Sequence, residues 1–313
     1  VLHVAGSLDG PSRVLLDPNQ LSEEGTVALA GWKPSPNGKL LAFGLAADGS
    51  DWREWRVLHV DNGETTEDHL QWVKFSGVSW TTDNKGFFYS RYDAPAEGKQ
   101  FTGTNYYQKL YYHRLGDPQE KDKLIYERPD HKEWGFGGYV TDDGHYLIIT
   151  IWKGTLRKNQ LFYKDLTVAD SPVVELLSGF EAEYDFIGND NDRFWIVTDL
   201  DAPRRQVVGI NLAKPDRSDW QQVIGQSDHV LEQIQLVGHR LLATYLKDAQ
   251  SLVQVFDLEG KLIRQLELPG IGSAQGFGGR PADQETFYSF TNYSTPATIF
   301  RYDIASGKST IYR

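Results

Sequence analysis

The chain has 313 residues, of which 43 are acidic and 32 are basic, giving a formal net charge of −11. This acidic balance argues against a protein that follows the phosphates of nucleic acid. Apolar residues make up 40% of the chain, which is enough for a large core, and no apolar run approaches the roughly 20 residues of a membrane-spanning helix. We therefore expect a globular protein whose partners include neither nucleic acid nor a membrane.

Cysteine and methionine are both absent from the sequence, which begins at Val1. Without cysteine the chain has no disulfides, thiolate nucleophiles or thiolate metal sites. A primary translation product begins with methionine, so we expect this chain to be a processed or excised piece of a longer polypeptide. The sequence does not begin with the pattern of a signal peptide, a positively charged stretch followed by an apolar one. We expect a cytoplasmic location, with the periplasm as the alternative.

A unit of about 46 residues recurs along the chain. Each copy contains a turn rich in Asp, Asn and Gly, a hydrophobic strand, a polar loop and a second strand that ends near Asp or Asn. The last four copies end at Asp165, Asn211, Asp257 and Asp303, each 46 residues after the one before. A period in the mid-forties with several strands per unit is typical of the blades of a β-propeller.

Four strands can be assigned to each of six units in chain order. The first strands are predicted at residues 28–32, 78–80, 137–140, 184–187, 233–236 and 276–278. The second strands are predicted at 40–45, 87–89, 146–151, 194–197, 241–245 and 286–290, and the third at 57–60, 110–113, 161–163, 207–210, 253–256 and 299–302. A last strand follows in each unit, for example at 123–126, 173–177 and 262–268.

Residues 1–17 precede these six units. Residues 1–4 and 14–17 look like the third and fourth strands of a further unit whose first two strands are missing. We therefore expect an all-β fold, a seven-bladed β-propeller of four-stranded antiparallel blades with the first blade only partly present. Residues 1–17 would be half of that blade and residues 18–313 the six full blades. In the alternative, residues 1–4 are the strand that closes a six-bladed ring.

Motifs for catalysis are missing. The Gly-x-Ser-x-Gly motif of a serine nucleophile does not occur, because Ser227 has Gly225 before it but His229 after it. No two of the eight histidines have the helical spacing of a zinc protease motif. The glycine-rich segments 135–138 and 276–279 run into predicted strands rather than helices, so they do not indicate a dinucleotide site. We expect no catalytic residue, metal or cofactor in this chain.

Six short strings carry a family resemblance. They are Val-Leu-Leu-Asp-Pro-Asn at 14–19, Gly-Thr-Val-Ala-Leu at 25–29, Gly-Ser-Asp-Trp at 49–52, Val-Lys-Phe-Ser at 73–76, Gln-Lys-Leu-Tyr-Tyr-His at 108–113 and Phe-Glu-x-Glu-Tyr-Asp at 180–185. In these strings, and in order over the whole chain, the sequence resembles the propeller domain of the prolyl oligopeptidase (prolyl endopeptidase) family. The resemblance implies that about 25–30 further propeller residues precede Val1, in line with the missing half-blade.

The resemblance also implies a function. In this family the propeller covers an α/β-hydrolase domain that holds the catalytic Ser, Asp and His, and none of that domain is present here. The expected role is a non-catalytic gate that admits only short peptides to a serine peptidase cleaving after proline. Its expected partners are the hydrolase domain of the same parent protein and the peptide substrates that pass to it. The family's first and last blades share no closing strand, which lowers the cost of opening.

Four residues are implied to face the substrate: Arg128, Tyr184, Arg204 and Arg205. Arg128 stands where some relatives have phenylalanine, which puts a stacking role there in doubt. An arginine at this position would bind substrate carbonyls or pair with an acid on the hydrolase, and the alternative is a plain surface charge.

Two other functions stay open at this stage. A free-standing propeller could bind a protein or peptide partner on one face, since a fold does not by itself fix a function. A carbohydrate-active propeller would need two carboxylates that converge on one site, and no such pair can be selected from the sequence. A Gly-x-Ser-x-Gly hydrolase in the same polypeptide would favour the peptidase.

Overall fold

The computed structural model describes residues 1–98 and 103–313. In these residues 26 strands form seven sheets. The first sheet has two strands, β1 (Leu2–Ala5) and β2 (Ser12–Leu16). The other six have four strands each, and their strand order follows the chain, so each is an up-and-down meander. Helical structure in the described residues is limited to three short 3₁₀ turns, Pro18–Gln20, Gln119–Lys121 and Arg217–Asp219.

The bounds of the four-stranded sheets are as follows. The second sheet contains β3 (Val27–Pro34), β4 (Leu40–Ala47), β5 (Arg53–His59) and β6 (Thr65–Val73), and the third contains β7 (Val78–Trp80), β8 (Gly86–Arg91), β9 (Lys109–Arg114) and β10 (Lys123–Tyr126). The fourth contains β11 (Trp134–Val140), β12 (Tyr146–Lys153), β13 (Gln160–Asp165) and β14 (Val173–Leu177), and the fifth contains β15 (Tyr184–Asp190), β16 (Arg193–Thr198), β17 (Gln206–Asn211) and β18 (Gln221–Ile224). The sixth contains β19 (Val230–Val237), β20 (Arg240–Lys247), β21 (Gln250–Phe256) and β22 (Leu262–Gln265), and the seventh contains β23 (Ser273–Gly276), β24 (Glu285–Thr291), β25 (Thr298–Asp303) and β26 (Ser309–Ile311).

A polar turn explains the first hairpin of the third and fourth sheets. Thr81 donates its hydroxyl to Asp83 at 2.6 Å, and the same Asp83 oxygen accepts the amide of Lys85 at 3.1 Å. Thr141 and Asp143 repeat the hydroxyl bond at 2.6 Å in the next unit. Short polar side chains that bond the backbone two residues on favour tight turns. The apolar residues that follow are then fixed in register against the preceding strand.

The six predicted four-stranded units are confirmed. Residues 1–4 do not extend any other described sheet, because β1 pairs only with β2, so the alternative of a six-bladed ring closed by this strand is wrong. The prediction of a first strand at 276–278 is also wrong, because β23 spans Ser273–Gly276 and so overlaps the predicted range only at Gly276. Phe277 has a φ of +62°, which is incompatible with an extended strand and ends β23. The strand predicted at 262–268 ends at Gln265.

The chain divides into two compact units, residues 1–156 with 162–175, and residues 157–161 with 176–313. In the first unit a core cluster between the second and third sheets includes Trp55, Leu70 and Phe87. In the second unit two clusters fill the spaces beside the sixth sheet, one around Trp195 and Leu241 and one around Tyr288, Tyr302 and neighbouring apolar residues. No described helix is long and apolar enough to span a membrane.

A charged triad is buried in the first unit. His113 on β9 is fully buried and lies between two aspartates, with Nδ1 2.7 Å from Asp122 and Nε2 3.0 Å from Asp68 of β6. The Asp68 carboxylate also accepts the Gly116 amide at 2.6 Å, and Asp122 accepts the Tyr89 hydroxyl at 2.5 Å. Because both aspartates face an imidazole nitrogen, the imidazolium, which donates from both nitrogens, satisfies them together.

The triad predicts a loss of stability as the pH rises. Burial alone would lower the pKa of His113, but its hydrogen bonds to Asp122 and Asp68 outweigh burial and raise the pKa from 6.5 to about 9. The folded state therefore holds this proton more tightly than the unfolded state. The resulting stabilisation, about 3 kcal/mol, is complete below the unfolded pKa and is lost as the pH rises through about 9.

Urea unfolding measured between about pH 6 and about pH 10 tests this dependence. The wild-type midpoint should fall across this window, and the midpoint of His113→Gln should fall much less. Parallel curves for the two proteins would show that His113 is not charged in the folded state.

Candidate functional site

The four residues predicted to face the substrate lie in, or directly after, segments at the same end of their own sheets. In a four-stranded meander, the loop between the second and third strands and the segment that leaves the fourth strand are at the same end of the sheet. Arg128 is on the segment between β10 and β11, and Tyr184 begins β15 directly after the segment that leaves β14. Arg204 and Arg205 are on the loop between β16 and β17. Arg128 belongs to the first unit and the other three to the second.

Arg128 is bound within the first unit by several groups. Its guanidinium donates to both carboxylate oxygens of Asp130, at 2.9 and 2.8 Å, and to Glu175 at 3.1 Å. The same guanidinium lies 4.7 Å from the ring centroid of Trp134, which also stacks in parallel on the His131 ring at 4.0 Å. Arg128 therefore has its charge balanced by two acids, and a peptide carbonyl would have to compete with them.

The Arg128 pair also shifts the acidity of both partners. The bidentate hydrogen bond from Arg128 lowers the pKa of Asp130 to about 2, and the bond to Asp130 raises the pKa of Arg128 above its ordinary value. Both groups stay charged over the whole neutral range. The contact with peptide that the family resemblance implies for Arg128 stays a prediction.

Tyr184 is packed inside the second unit. It is only 3% exposed, and burial raises the pKa of its hydroxyl. Its backbone is fixed by the side chain of Asn159, which accepts the Tyr184 amide at 2.7 Å and donates to the Tyr184 carbonyl at 2.9 Å. A direct contact with substrate stays a prediction, and it requires the ring to leave this packed position.

Arg205 forms the charged part of the site in the second unit. It contacts Glu183 at 2.5 Å and Asp185 at 3.8 Å, and its φ of +66° is unusual for a large side chain. Burial alone would lower the pKa of Arg205, but the hydrogen bond to Glu183 and the charge of Asp185 outweigh it and raise the pKa. Partial desolvation raises the pKa of Asp185, Arg205 opposes this rise, and the charges of Glu183 and Asp199 add to it.

Arg204 has a different surrounding from Arg205. Its amide donates to the Gln226 side chain at 2.7 Å, and its guanidinium donates to the Asp228 carbonyl at 3.2 Å. These bonds fasten the loop between β16 and β17 to the segment that precedes β19. The side chain is exposed, so Arg204 is the most accessible of the four predicted residues. Its role toward substrate stays a prediction.

A cavity of about 250 Å³ opens beside Arg205, between β15 and β19. Asp185, Glu232 and Gln233 are among the residues that line it, together with apolar residues such as Phe186 and Ile234. Negative groups outnumber Arg205 here, so the cavity favours peptide N–H groups and cations over carboxylates. The sequence prediction missed Glu183 and Asp185 as partners of Arg205. Glu183 and Asp185 are two residues apart, which puts both side chains on one face of the chain where it enters β15. This spacing could have indicated that both acids pair with one basic residue.

Nothing in residues 1–98 and 103–313 resembles a metal centre, since no group of three or more metal-binding side chains is arranged to hold an ion.

The sequence and the fold match known proteins over nearly the whole chain. A family model described as prolyl oligopeptidase, N-terminal β-propeller domain, matches residues 1–313. The prolyl endopeptidase of Elizabethkingia meningoseptica is 38% identical over 304 residues, covering 97% of this chain and 43% of that protein. Prolyl oligopeptidase A of Galerina marginata (strain CBS 339.88) is 31% identical over 324 residues, covering 96% and 44%.

Solved structures agree with these relatives. A structure from a study of two prolyl endopeptidases and of inter-domain dynamics in their catalysis and specificity shares 36% identity, with a TM-score of 0.87 over 96% of this chain and 43% of that chain. Prolyl oligopeptidase B of Galerina marginata, bound to a 35-residue hydrolysis and macrocyclization substrate, shares 27% identity, with a TM-score of 0.88 over 96% and 44%. The predicted all-β, seven-bladed propeller with a partial first blade is thus confirmed.

The chain spans less than half of the length of each of these relatives. Because the family model covers the chain from residue 1 to residue 313, this protein belongs to the N-terminal β-propeller domain family of the prolyl oligopeptidases.

Proposed function

We propose that this chain is the non-catalytic gating and size-filter domain of a serine peptidase that cleaves short peptides after proline. The observation that carries the proposal is the coverage of the relatives. A prolyl endopeptidase is matched over 97% of this chain but over only 43% of its own length. The partner of the propeller is then the α/β-hydrolase domain of the same polypeptide, which supplies the catalytic serine.

The physical basis of the role is exclusion. A rigid domain over a reactive serine prevents folded proteins from entering, keeps water out during the reaction and holds the bound peptide. Antiparallel meanders with apolar clusters packed between neighbouring sheets suit such a lid, because these clusters hold the sheets together without help from a substrate. Arg128, Tyr184, Arg204 and Arg205 remain our proposed substrate-facing residues, with the acidic cavity beside Arg205 as the surface that orients peptide N–H groups.

Peptide hydrolysis tests the proposal. The purified 313-residue chain should not cleave a short peptide that contains proline. The full-length parent should cleave it, and a serine-directed inhibitor should stop that activity. Deleting the propeller from the parent should allow longer peptides to be cleaved relative to short ones.

Two results would contradict the proposal. One is inhibitor-sensitive turnover by the chain alone, which would place a catalytic serine within it. The other is a parent polypeptide without a hydrolase domain. In that case, tight binding of a protein or peptide by the chain would favour a free-standing binding propeller.

A further inference from the structure

Phe75 combines two features that are costly in the propeller alone. It lies on residues 74–77, the segment between β6 and β7, and 55% of its surface is exposed. Its φ is +58°, a region that bulky side chains rarely adopt and that is commonly found at functional sites. Leaving an aromatic ring in water adds a second cost. Glycine or asparagine would satisfy the backbone better, so the ring itself requires a reason.

The segment around Phe75 is held in place by buried groups. Gln108, which is 1% exposed, donates to the Lys74 carbonyl at 2.8 Å. Ser76, also buried, accepts the Ser90 amide at 2.9 Å and donates to the Gly77 carbonyl at 2.8 Å. The backbone on both sides of Phe75 is therefore anchored, while 55% of Phe75 itself is exposed. An anchored backbone limits the positions that the ring can take, which reduces the conformational entropy lost on binding.

The charge beside the ring is already balanced. The Lys74 ammonium lies 5.3 Å from the centroid of the Phe75 ring and 5.1 Å from that of Trp52. It also pairs with Asp51 at 3.6 Å. The surface offered to a partner is thus a flat apolar ring without a net local charge, which fits an apolar pocket better than a charged one.

We infer that Phe75 is a docking anchor for the α/β-hydrolase domain of the same polypeptide, an inference that rests on the proposed function. Gln108 joins the Phe75 segment to β11, the strand that directly follows the Arg128 segment, because it donates to the Lys74 carbonyl at 2.8 Å and accepts the Phe136 amide at 2.7 Å. Both segments leave the outer strand of a sheet and lie at the same end. A ring on an anchored backbone suits a partner of constant sequence, whereas peptides of varied sequence are bound better by adaptable surfaces.

The relatives supply a domain of sufficient size. Prolyl endopeptidase and prolyl oligopeptidase A are each more than twice as long as the part that this chain matches. Central aromatic residues that fill a pocket on the partner carry much of the binding energy of an interface. Removing the ring should therefore weaken docking without weakening the propeller.

Two variants of Phe75 and one control test the inference. Phe75→Asn removes the ring and accepts the left-handed backbone, and Phe75→Leu keeps an apolar side chain. Leu124→Ala is the matched control, because Leu124 is 42% exposed on the outer strand β10 of the same unit. Each is made in the 313-residue chain and in the full-length parent. The readouts are the urea midpoint of the chain, and the radius of gyration and rate of proteolysis between domains of the parent.

We expect Phe75→Asn to leave the midpoint of the isolated chain unchanged or higher. In the parent it should raise the open-to-closed ratio about tenfold, with faster inter-domain proteolysis, and Phe75→Leu should have a smaller effect. Leu124→Ala should behave as wild type in the parent.

Three results would overturn the inference. In the first, Phe75→Asn destabilises the isolated chain, which would give the ring a structural role. In the second, the parent carrying Phe75→Asn stays as closed as wild type. In the third, the isolated chain binds a proline peptide in a Phe75-dependent way, which would make substrate the occupant. Failure of the proposed function would appear separately, as a wild-type parent without peptidase activity.

Discussion

Replacing His113 with phenylalanine should lower the free energy of unfolding by about 3–5 kcal/mol, because the change leaves two buried carboxylates without a counter-charge. The side chains of Asp68 and Asp122 are 3% and 1% exposed and both bond the imidazole of His113. Phenylalanine fills the space but offers no N–H group and no positive charge. The measurement is urea unfolding of wild type and His113→Phe at a pH near 7.

A double-mutant cycle separates the charge effect from packing. Adding Asp68→Asn to His113→Phe removes one of the two buried charges that lack a counter-charge. The double variant should therefore be more stable than the sum of the single changes predicts. His145→Asn is the matched control, since His145 contacts Asp143 at 3.4 Å but its side chain is 48% exposed. Its effect should stay within about 0.5 kcal/mol. Equal losses at His113 and His145 would contradict the argument.

The triad joins two sheets, so losing it should weaken the packing between these sheets as well as the hydrogen bonds of His113. Asp68 belongs to β6 of the second sheet, whereas His113 belongs to the third sheet. Gln119 strengthens the same boundary between the sheets, since its side chain accepts the Gln71 amide and donates to the Gln71 carbonyl, both at 3.0 Å. Buried networks of this kind are costly when one member is missing, because the remaining groups lose their partners.

The repeat length also carries information about contacts between the sheets. Many bonds between successive sheets join residues about one repeat apart. His113 and Asp68 are 45 residues apart, Arg128 and Glu175 are 47 apart, and Gln71 and Gln119 are 48 apart. Stacked units place equivalent positions next to each other. Pairing opposite charges one repeat apart would have indicated the partners of His113 and Arg128.

Other features could not be predicted from the pattern. The short string Val-Lys-Phe-Ser at 73–76 supported the family resemblance, but nothing in it shows that Phe75 has a positive φ and is exposed while Val73 is fully buried. Tyr184 was expected to face substrate, and its burial depends on packing within the second unit rather than on local sequence. Strand periodicity fixes alternation, whereas the exposure of a loop side chain depends on tertiary contacts.

Gly86→Ala should be the most damaging small substitution in the third sheet. Gly86 begins β8 and pairs with Arg114 of β9. An added Cβ would lie 2.1 Å from the His113 carbonyl oxygen and 2.6 Å from the Tyr112 hydroxyl. The first of these atoms is backbone and cannot rotate away, so the two strands must separate. We expect a loss of about 3 kcal/mol or more, measured by urea unfolding.

Gly77→Ala is the control for this prediction. A Cβ at Gly77 would meet no atom within 4 Å, and the residue does not have a positive φ. Alanine there restricts the unfolded chain without straining the folded one, so stability should be unchanged or rise by about 0.4–1 kcal/mol.

Since His113 is on β9, separating β8 from β9 should also disturb the triad, and Gly86→Ala should flatten the pH dependence of stability. If the stability of Gly86→Ala fell with pH as steeply as that of wild type, β9 would have stayed in place and β8 alone would have absorbed the strain.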